Sequence, residues 1–274
     1  MKTIIVPVDF STTSANAAEF AGNLAAFYGA DIWLYHAYEI PIALSEFAYP
    51  VVDIADMQKA AEHELELAKE VTISKLNRAI TINTKAEMNV LQLGLDNFCD
   101  AIKPDMVVMG LSGKKTLTRL IVGSNTIKTV FNLIYPILIV PPKAAFIPVK
   151  KIGFACDYRQ VEERTPVTFL KRIVKDFHAE LHVLNVDHTN KKTVAENLSE
   201  SHVIYDLLRD TKAEFHSIDA GEITDGINWF IDHPKLDWLV IIPKKHRLLD
   251  KLFKRSHTKE LVYHTHIPLL CIHE

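Results

Sequence analysis

The sequence repeats itself: four short segments of its first half recur, in the same order, in its second half. Residues 4–9 and 152–157 share an apolar run that closes on an aspartate, 148 positions apart. The other three pairs are residues 30–37 with 179–186, 105–110 with 237–242, and 136–140 with 268–272. Landmarks that recur in order indicate an internal duplication. The chain is therefore expected to fold as two similar units.

Short apolar runs alternate with longer segments of helical spacing in each half, which predicts strands that alternate with helices. The predicted strands of the first half are residues 3–8, 31–36, 81–89, 106–109 and 136–140, and the predicted helices are residues 17–28, 57–78, 95–102 and 123–134. Such alternation is typical of parallel βαβ units with right-handed crossovers. We therefore predict an α/β protein of two tandem doubly wound domains, residues 1–143 and 148–274, with a proline-rich join over 141–148.

Composition narrows the class of protein. The chain has 274 residues, of which 48% are hydrophobic and 24% charged, as expected for a folded domain with its own core. A net charge of -3 provides no general attraction to nucleic acids or anionic membranes. The three cysteines are far apart and odd in number, which argues against a disulfide framework. With no long apolar run and no signal-peptide pattern, we predict a cytoplasmic protein without nucleic-acid or membrane partners.

Glycine is scarce, yet three of the nine glycines, Gly110, Gly113 and Gly123, fall within fourteen residues after the fourth predicted strand. Ligands of open parallel sheets bind beyond the carboxyl ends of the strands. Glycines there would let backbone N–H groups face an anion, and the helix that Ser124 opens would favour phosphate. The alternative is that the glycines serve tight turns and Ser124 only caps the helix.

The spacing G-x2-G-x9-G-[ST], with Asp9 after the first strand, resembles the universal stress protein family. The resemblance extends over essentially the whole chain, as a tandem two-domain member. It implies a five-stranded parallel sheet of order 3-2-1-4-5 in each half, and an N-terminal domain that binds ATP. The residues it assigns to the nucleotide are Pro7, Val8, Asp9, Ala37, Gly110, Gly113, Gly123, Ser124 and Asn125.

Within that resemblance each part of the nucleotide has its own residues. Asp9 would approach the adenine or the ribose, in a pocket that Pro7 and Val8 line, and the backbone of Ala37 would read the adenine edge. The glycines, with Ser124 and Asn125, would hold the ribose and the phosphates. A divalent ion such as Mg²⁺ on the phosphates would follow from their charge.

The second half departs from this pattern. Its corresponding positions are Ile242, Lys245, Arg255 and Ser256, so that every glycine is replaced. Side chains there would obstruct the close approach that glycine permits, and ATP is not expected in the same pose. Residues 244–259 carry seven lysines and arginines against one acid. We favour a solvated helix face for this basic stretch, the alternative being an anion site or a partner surface.

Two further chemistries are considered. The group His264, His266, Cys271 and His273 has zinc-ligand side chains, but its spacing matches no zinc pattern, and we predict no metal there. Ser112 and Asp9 have no activating partner nearby, so we predict no catalytic residue. His36 is expected to be structural, because it points away from the face that Ala37 presents.

The sequence thus predicts an ATP-binding stress protein with a regulatory or sensing role. The alternatives are a slow ATP-hydrolysing enzyme and a nucleotide-free interaction scaffold. The two closing strands are expected to pair within one chain as a pseudo-dimer, with a homodimer of chains in addition. The long apolar connection over 39–56 would cover the nucleotide, meet a partner, or pack on its own domain.

Overall fold

The computed structural model describes residues 1–40, 53–111, 113–116, 119–122, 124–156, 166–187, 202–219, 223–243 and 266–273. The chain divides into two compact units. The first holds Met1–Lys114 and Val122–Phe146, and the second holds Lys115–Ile121 and Ile147–Glu274. Most of the apolar connection over 39–56 and the basic stretch over 244–259 lie outside the described residues.

The first unit is built on a parallel sheet of five strands. These strands are β1 (Thr3–Pro7), β2 (Asp31–Tyr38), β3 (Ile82–Met88), β4 (Met106–Gly110) and, last in the chain, β7 (Ile137–Val140). Their spatial order is β3-β2-β1-β4-β7, and every pair of neighbours is parallel. Residues of β4 and β7 are buried throughout, as expected of a sheet with helices on both faces.

Four helices connect these strands: α1 (Thr12–Tyr28), α2 (Ile54–Ser74), α3 (Leu91–Ile102) and α4 (Ser124–Asn132). Helix α1 begins where the Ser11 hydroxyl accepts a hydrogen bond from the Ser14 N–H, and it ends at Gly29, whose φ of 64° suits glycine. Helix α2 begins three residues before the predicted start, because Asp53 caps it by accepting from the Ala55 N–H.

The connection between β4 and α4 contains two short strands, β5 (Gly113–Thr116) and β6 (Arg119–Val122), paired in a two-stranded sheet. The sequence pattern predicted no strand between residues 110 and 122. The Leu-Ile-Val run in β6 explains the difference, since such residues favour extended backbone.

The second unit repeats the same order of elements. Its strands are β8 (Lys151–Ala155), β9 (Glu180–Asp187), β10 (Glu214–Asp219), β11 (Trp238–Ile241) and β12 (Leu269–Cys271). Its described helices are α5 (Val167–Phe177), α6 (residues 202–208) and α7 (Ile223–Asp232). The spatial order is β10-β9-β8-β11-β12, again parallel throughout. The predicted fold, two tandem sheets of order 3-2-1-4-5, is confirmed.

The duplication extends to single hydrogen bonds. In the first unit the Asp105 carboxylate accepts from the Lys2 N–H at 2.7 Å, which ties the start of β4 to the start of β1. In the second unit the Asp237 carboxylate accepts from the Lys150 and Lys151 N–H groups at 2.7 and 2.9 Å. An equivalent aspartate therefore joins the first and fourth strands in each unit.

The proline-rich join begins against the first unit. The Asn16 side chain donates to the carbonyl oxygens of Pro141 and Ala144, both at 3.3 Å, and the Phe146 ring packs edge-on against Phe20 at 5.6 Å. These contacts hold the start of the join on α1. Among the described residues, no helix is both long and apolar enough to cross a membrane.

Candidate functional site

Two helix N-termini meet the end of β4 at a single buried glycine. A Cβ atom on Gly110 would lie 2.6 Å from the carbonyl oxygen of Thr13, in the first turn of α1. On α4, the Thr126 hydroxyl donates to the Gly110 carbonyl oxygen at 3.5 Å. The absence of a side chain at Gly110 thus lets the first turn of α1 lie against the carboxyl end of the sheet, and the Thr126 hydrogen bond ties the first turn of α4 to the same residue. The positive ends of two helix dipoles point to this edge.

Asp9 lies at the same edge, and its carboxylate is held by the residues that begin α1. Its Oδ1 accepts from the Ser11 N–H at 3.1 Å and from the Ser11 hydroxyl at 2.5 Å. Its own N–H donates to the Ser14 hydroxyl at 3.3 Å. These bonds place an acceptor group beside the helix N-terminus.

The charge state of Asp9 follows from these partners. Partial burial raises the pKa of the Asp9 carboxyl, but hydrogen bonds from Ser11 and Ser14 outweigh it, and that pKa lies below its ordinary value. Asp9 is therefore an anion at neutral pH. Such a group accepts hydrogen bonds well and removes protons poorly.

Two predicted site residues lie within strands, and a third directly follows one. Pro7 is the last residue of β1, and buried Val8 extends the ladder, since its N–H donates to the Tyr35 carbonyl oxygen at 2.8 Å. Asp9 therefore follows the strand instead of closing it. The second strand was predicted to end at residue 36, but β2 continues to Tyr38 and includes Ala37, because its pairing with β3 persists to the last residue of both strands.

The phosphate side of the predicted site is described only in part. Gly113 is the first residue of β5, and Ser124 and Asn125 are the first two residues of α4. Gly123 and Ser112 lie outside the described residues. Helix α4 ends at Asn132, two residues before its predicted end.

Aromatic residues beside Asp9 were not predicted as part of the site. Phe10 has a φ of 60°, which is rare for a residue with a side chain, and its ring lies 4.4 Å from the His36 ring. The ring of Tyr38 is stacked with that of His36, with ring centroids 6.4 Å apart. The sequence Val-Asp-Phe-Ser could have indicated this aromatic residue, because it directly follows the predicted site residue Asp9.

His36 ties the end of β2 to the end of β1, as its Nδ1 lies 2.8 Å from the Val8 carbonyl oxygen. At the corresponding positions of the second unit, the Asn185 side chain donates to the Cys156 carbonyl oxygen at 3.0 Å. An equivalent contact in both units is consistent with the predicted structural role of His36.

The predicted second-unit positions are mostly beyond the described residues. Ile242 follows β11 and is half-buried, whereas Lys245, Arg255, Ser256 and Asp157 fall outside the description. Of the histidine and cysteine group near the C-terminus, His264 is also outside. His266 lies 3.1 Å from the Asp232 carboxylate, and Cys271 is buried within β12. Burial raises the pKa of the Cys271 thiol, so it is not a thiolate at neutral pH.

Comparison with known proteins identifies the family. The sequence model of the universal stress protein family matches residues 1–141. The universal stress protein MJ0531 of Methanocaldococcus jannaschii is 28% identical over 142 residues, which span 51% of this chain and 81% of the relative.

Two solved structures share the fold along the whole chain. A universal stress protein from Archaeoglobus fulgidus aligns with a TM-score of 0.74 and 14% identity, over 99% of this chain and 98% of its own. A protein of unknown function from Pseudomonas aeruginosa aligns with a TM-score of 0.64 and 12% identity, over 99% and 92%. The predicted resemblance is confirmed: with its two tandem units, the chain belongs to the universal stress protein family.

Proposed function

We propose that the first unit binds ATP at the carboxyl edge of its sheet, as a regulatory ligand. The observation that carries the proposal is the meeting of two helix N-termini with buried Gly110, beside the ionised Asp9. Family membership supports a role of the chain in the stress response. The proposal adds the ligand and the part of the molecule that holds it.

The charges of this edge favour one orientation of the nucleotide. The first turn of α1 already has its hydroxyl cap, because Ser11 accepts from the Ser14 N–H at 3.2 Å. Asp9 adds a negative charge there, which would repel phosphate and suits the hydroxyls of a ribose. The phosphates would then face the start of α4 at Ser124, after Gly123, where the helix dipole favours anions. Mg²⁺ would accompany them by charge.

The aromatic group offers a surface for the base. Phe10 is 38% exposed, and its neighbour in the sequence is Asp9. A flat, partly exposed ring beside a ribose-binding acid suits stacking of a purine. The unusual φ of 60° at Phe10 fits this proposal, since strained backbone is commonly kept at sites of function.

The same geometry favours binding over hydrolysis. A general base needs a pKa near the working pH, and the Asp9 carboxylate is engaged by Ser11 and held as a stable anion. Slow ATP hydrolysis and a nucleotide-free scaffold are the alternatives to be tested.

The test is a calorimetric titration of the full-length, nucleotide-stripped protein with Mg·ATP. We expect one site per chain. Asp9→Asn should weaken binding by about tenfold, because it removes a charged acceptor. Asp31→Asn is the matched control, since Asp31 is an exposed acid at the opposite, amino end of β2, and it should leave binding unchanged.

A second variant addresses the phosphate side. Gly123→Val should abolish binding by blocking the approach of a phosphate to the start of α4. Wild-type affinity in this variant would contradict the assignment of the phosphates. Absence of binding in the unaltered protein would reject the proposal and favour the scaffold, whereas accumulation of ADP in proportion to protein would favour the enzyme.

A further inference from the structure

The second unit carries a histidine and acid group on one face of its sheet, near the amino ends of two strands. Strand β9 contains Glu180 and His182, and strand β10 contains Glu214 and His216, so each strand carries a Glu-x-His pair. Alternate residues of a strand share a face. The register places Glu214 directly opposite His182, which brings His182, Glu214 and His216 together on adjacent strands.

Three donor atoms of this group converge. His182 Nδ1 lies 3.1 Å from His216 Nε2 and 3.4 Å from Glu214 Oε2, and His216 Nε2 lies 3.9 Å from that same oxygen. All three residues can direct a ligand atom to one point, since these atoms lie within 4.8 Å of one another. We propose that this His182–Glu214–His216 triad is a zinc-binding site.

The separations agree with zinc coordination. A point about 2.0 Å from all three donor atoms exists between them, which is the length of zinc bonds to imidazole nitrogen and to carboxylate oxygen. Two imidazoles and one carboxylate form a donor set that suits zinc and other transition metals, and not Mg²⁺ or Ca²⁺, which take mainly oxygen ligands. A cation also uses the lone pairs of both facing nitrogens, which a hydrogen bond between the two rings cannot do.

The second ring nitrogen of His182 also has a suitable neighbour. The His182 side chain is buried, and among the described residues its Nε2 has no hydrogen-bond partner. The nearest carboxylate oxygen, Glu180 Oε2, lies 3.6 Å from this nitrogen, with Lys151 Nζ also 3.6 Å from that oxygen. Ligating histidines usually direct their other N–H to a carboxylate, which orients the ring and strengthens the ligand. A small movement of Glu180 would complete this arrangement.

Exposure of the triad leaves room for a fourth ligand. The side chains of His216 and Glu214 are 34% and 66% exposed, so water can reach the metal from the solvent side. Three protein ligands with an open position form a site that exchanges its metal more readily than a closed four-ligand site. Zinc would join the edge strand β10 to β9 through side chains as well as through the backbone ladder.

The test uses the full-length protein, freed of metal by a chelator and dialysed, then titrated with Zn²⁺ in a calorimeter. We expect one tight site per chain. His216→Gln and Glu214→Gln should each weaken it by at least about tenfold. His202→Gln is the matched control, because His202 is an exposed histidine of the same unit outside the triad, and it should retain wild-type binding.

Two readouts keep the outcome clear. Circular dichroism checks that each variant is folded, and Co²⁺ titration reports the absorption of a nitrogen- and oxygen-ligated ion, which His216→Gln should lose. Zn²⁺ should also raise the Tm of the unaltered protein and not that of His216→Gln. Zinc binding that is absent, or equal in His216→Gln and His202→Gln, would overturn the proposal. The proposed ATP site lies in the other unit and is tested separately.

Discussion

The two units place different chemistry at the same position of the same sheet. Trp33 of β2 and His182 of β9 occupy equivalent positions, because each pairs with the equivalent residue of the first strand of its unit. On the next strand, Trp33 pairs with Asn83 and His182 pairs with Glu214. Trp33 packs edge-on against Phe98 of α3, with ring centroids 5.4 Å apart. The first unit thus has aromatic packing on this face, whereas the second has histidine and glutamate side chains there.

A framework phenylalanine is common to both arrangements. Phe98 and Phe230 are 132 residues apart, the offset that relates the last strands of the two units. Phe98 packs on Trp33, and Phe230 of α7 lies 5.2 Å from the ring of His216. Phe98 thus packs against the second strand of its unit and Phe230 contacts the third strand of its own, and both lie on the helix that precedes the fourth strand. A duplicated fold can acquire a new site by changing only residues on a strand face.

At the carboxyl edge of the sheet, it is the first unit that has the residues expected of a ligand site. After the fourth strand, the first unit has Gly110 in contact with α1, whereas the second has the half-buried side chain of Ile242. The position beside Gly110 is thus filled by the backbone of α1, whereas the corresponding residue of the other unit has a side chain of its own. The two units are expected to bind different ligands at different parts of the sheet.

The largest expected effect is the difference in stability loss between alanine substitutions of Phe230 and Phe98. Phe230 is fully buried and Phe98 only half-buried, so Phe230→Ala should lower the free energy of unfolding of its unit by about 3–5 kcal/mol, and Phe98→Ala should lower that of its unit by less. Hydrogen exchange followed by mass spectrometry measures each unit separately. Equal losses in the two units would show that the positions are not packed differently.

A smaller effect concerns the carboxyl edges. Gly110→Ala should destabilise the first unit by about 1–3 kcal/mol in the absence of nucleotide, because its Cβ would meet the Thr13 carbonyl oxygen at 2.6 Å. Ile242→Ala, the matched change in the second unit, removes half-buried carbon atoms and should cost about 1 kcal/mol. Urea unfolding of both variants compares the two values. A neutral Gly110→Ala would contradict the close approach of α1.

The smallest expected effect is a change in the pKa of Asp9 in the first unit. The pKa of Asp9 is below its ordinary value of 3.8, so its ionised form stabilises the fold above that pH, and this contribution is lost as pH falls through the lowered pKa. Ser11→Ala removes a hydrogen bond and should raise the pKa of Asp9, measured by NMR titration. Ser74→Ala, a change at an exposed helix end, is the control. An unchanged pKa in Ser11→Ala would mean that another group holds the charge.

Local patterns were sufficient for most of the fold. Apolar runs and helical spacing predicted the order of elements, and the repeat predicted two units, because hydrophobic periodicity and turn residues act over a few neighbours. Strand ends were less certain: β2 runs on to Tyr38 because pairing with β3 continues, which depends on a second strand. Helix α2 began early for a local reason, the Asp53 cap.

The candidate sites also include features that the sequence predicts and features that only the tertiary structure determines. The glycines, Asp9 and the family resemblance could be predicted from the sequence, because they depend on residue types at fixed spacings along the chain. The contact of Gly110 with Thr13 and the triad around His182 were decided by tertiary structure alone. The two Glu-x-His pairs are 34 residues apart, and only the strand register determines that Glu214 faces His182. A shift of one residue in that register would turn the acid to the opposite face of the sheet and abolish the triad.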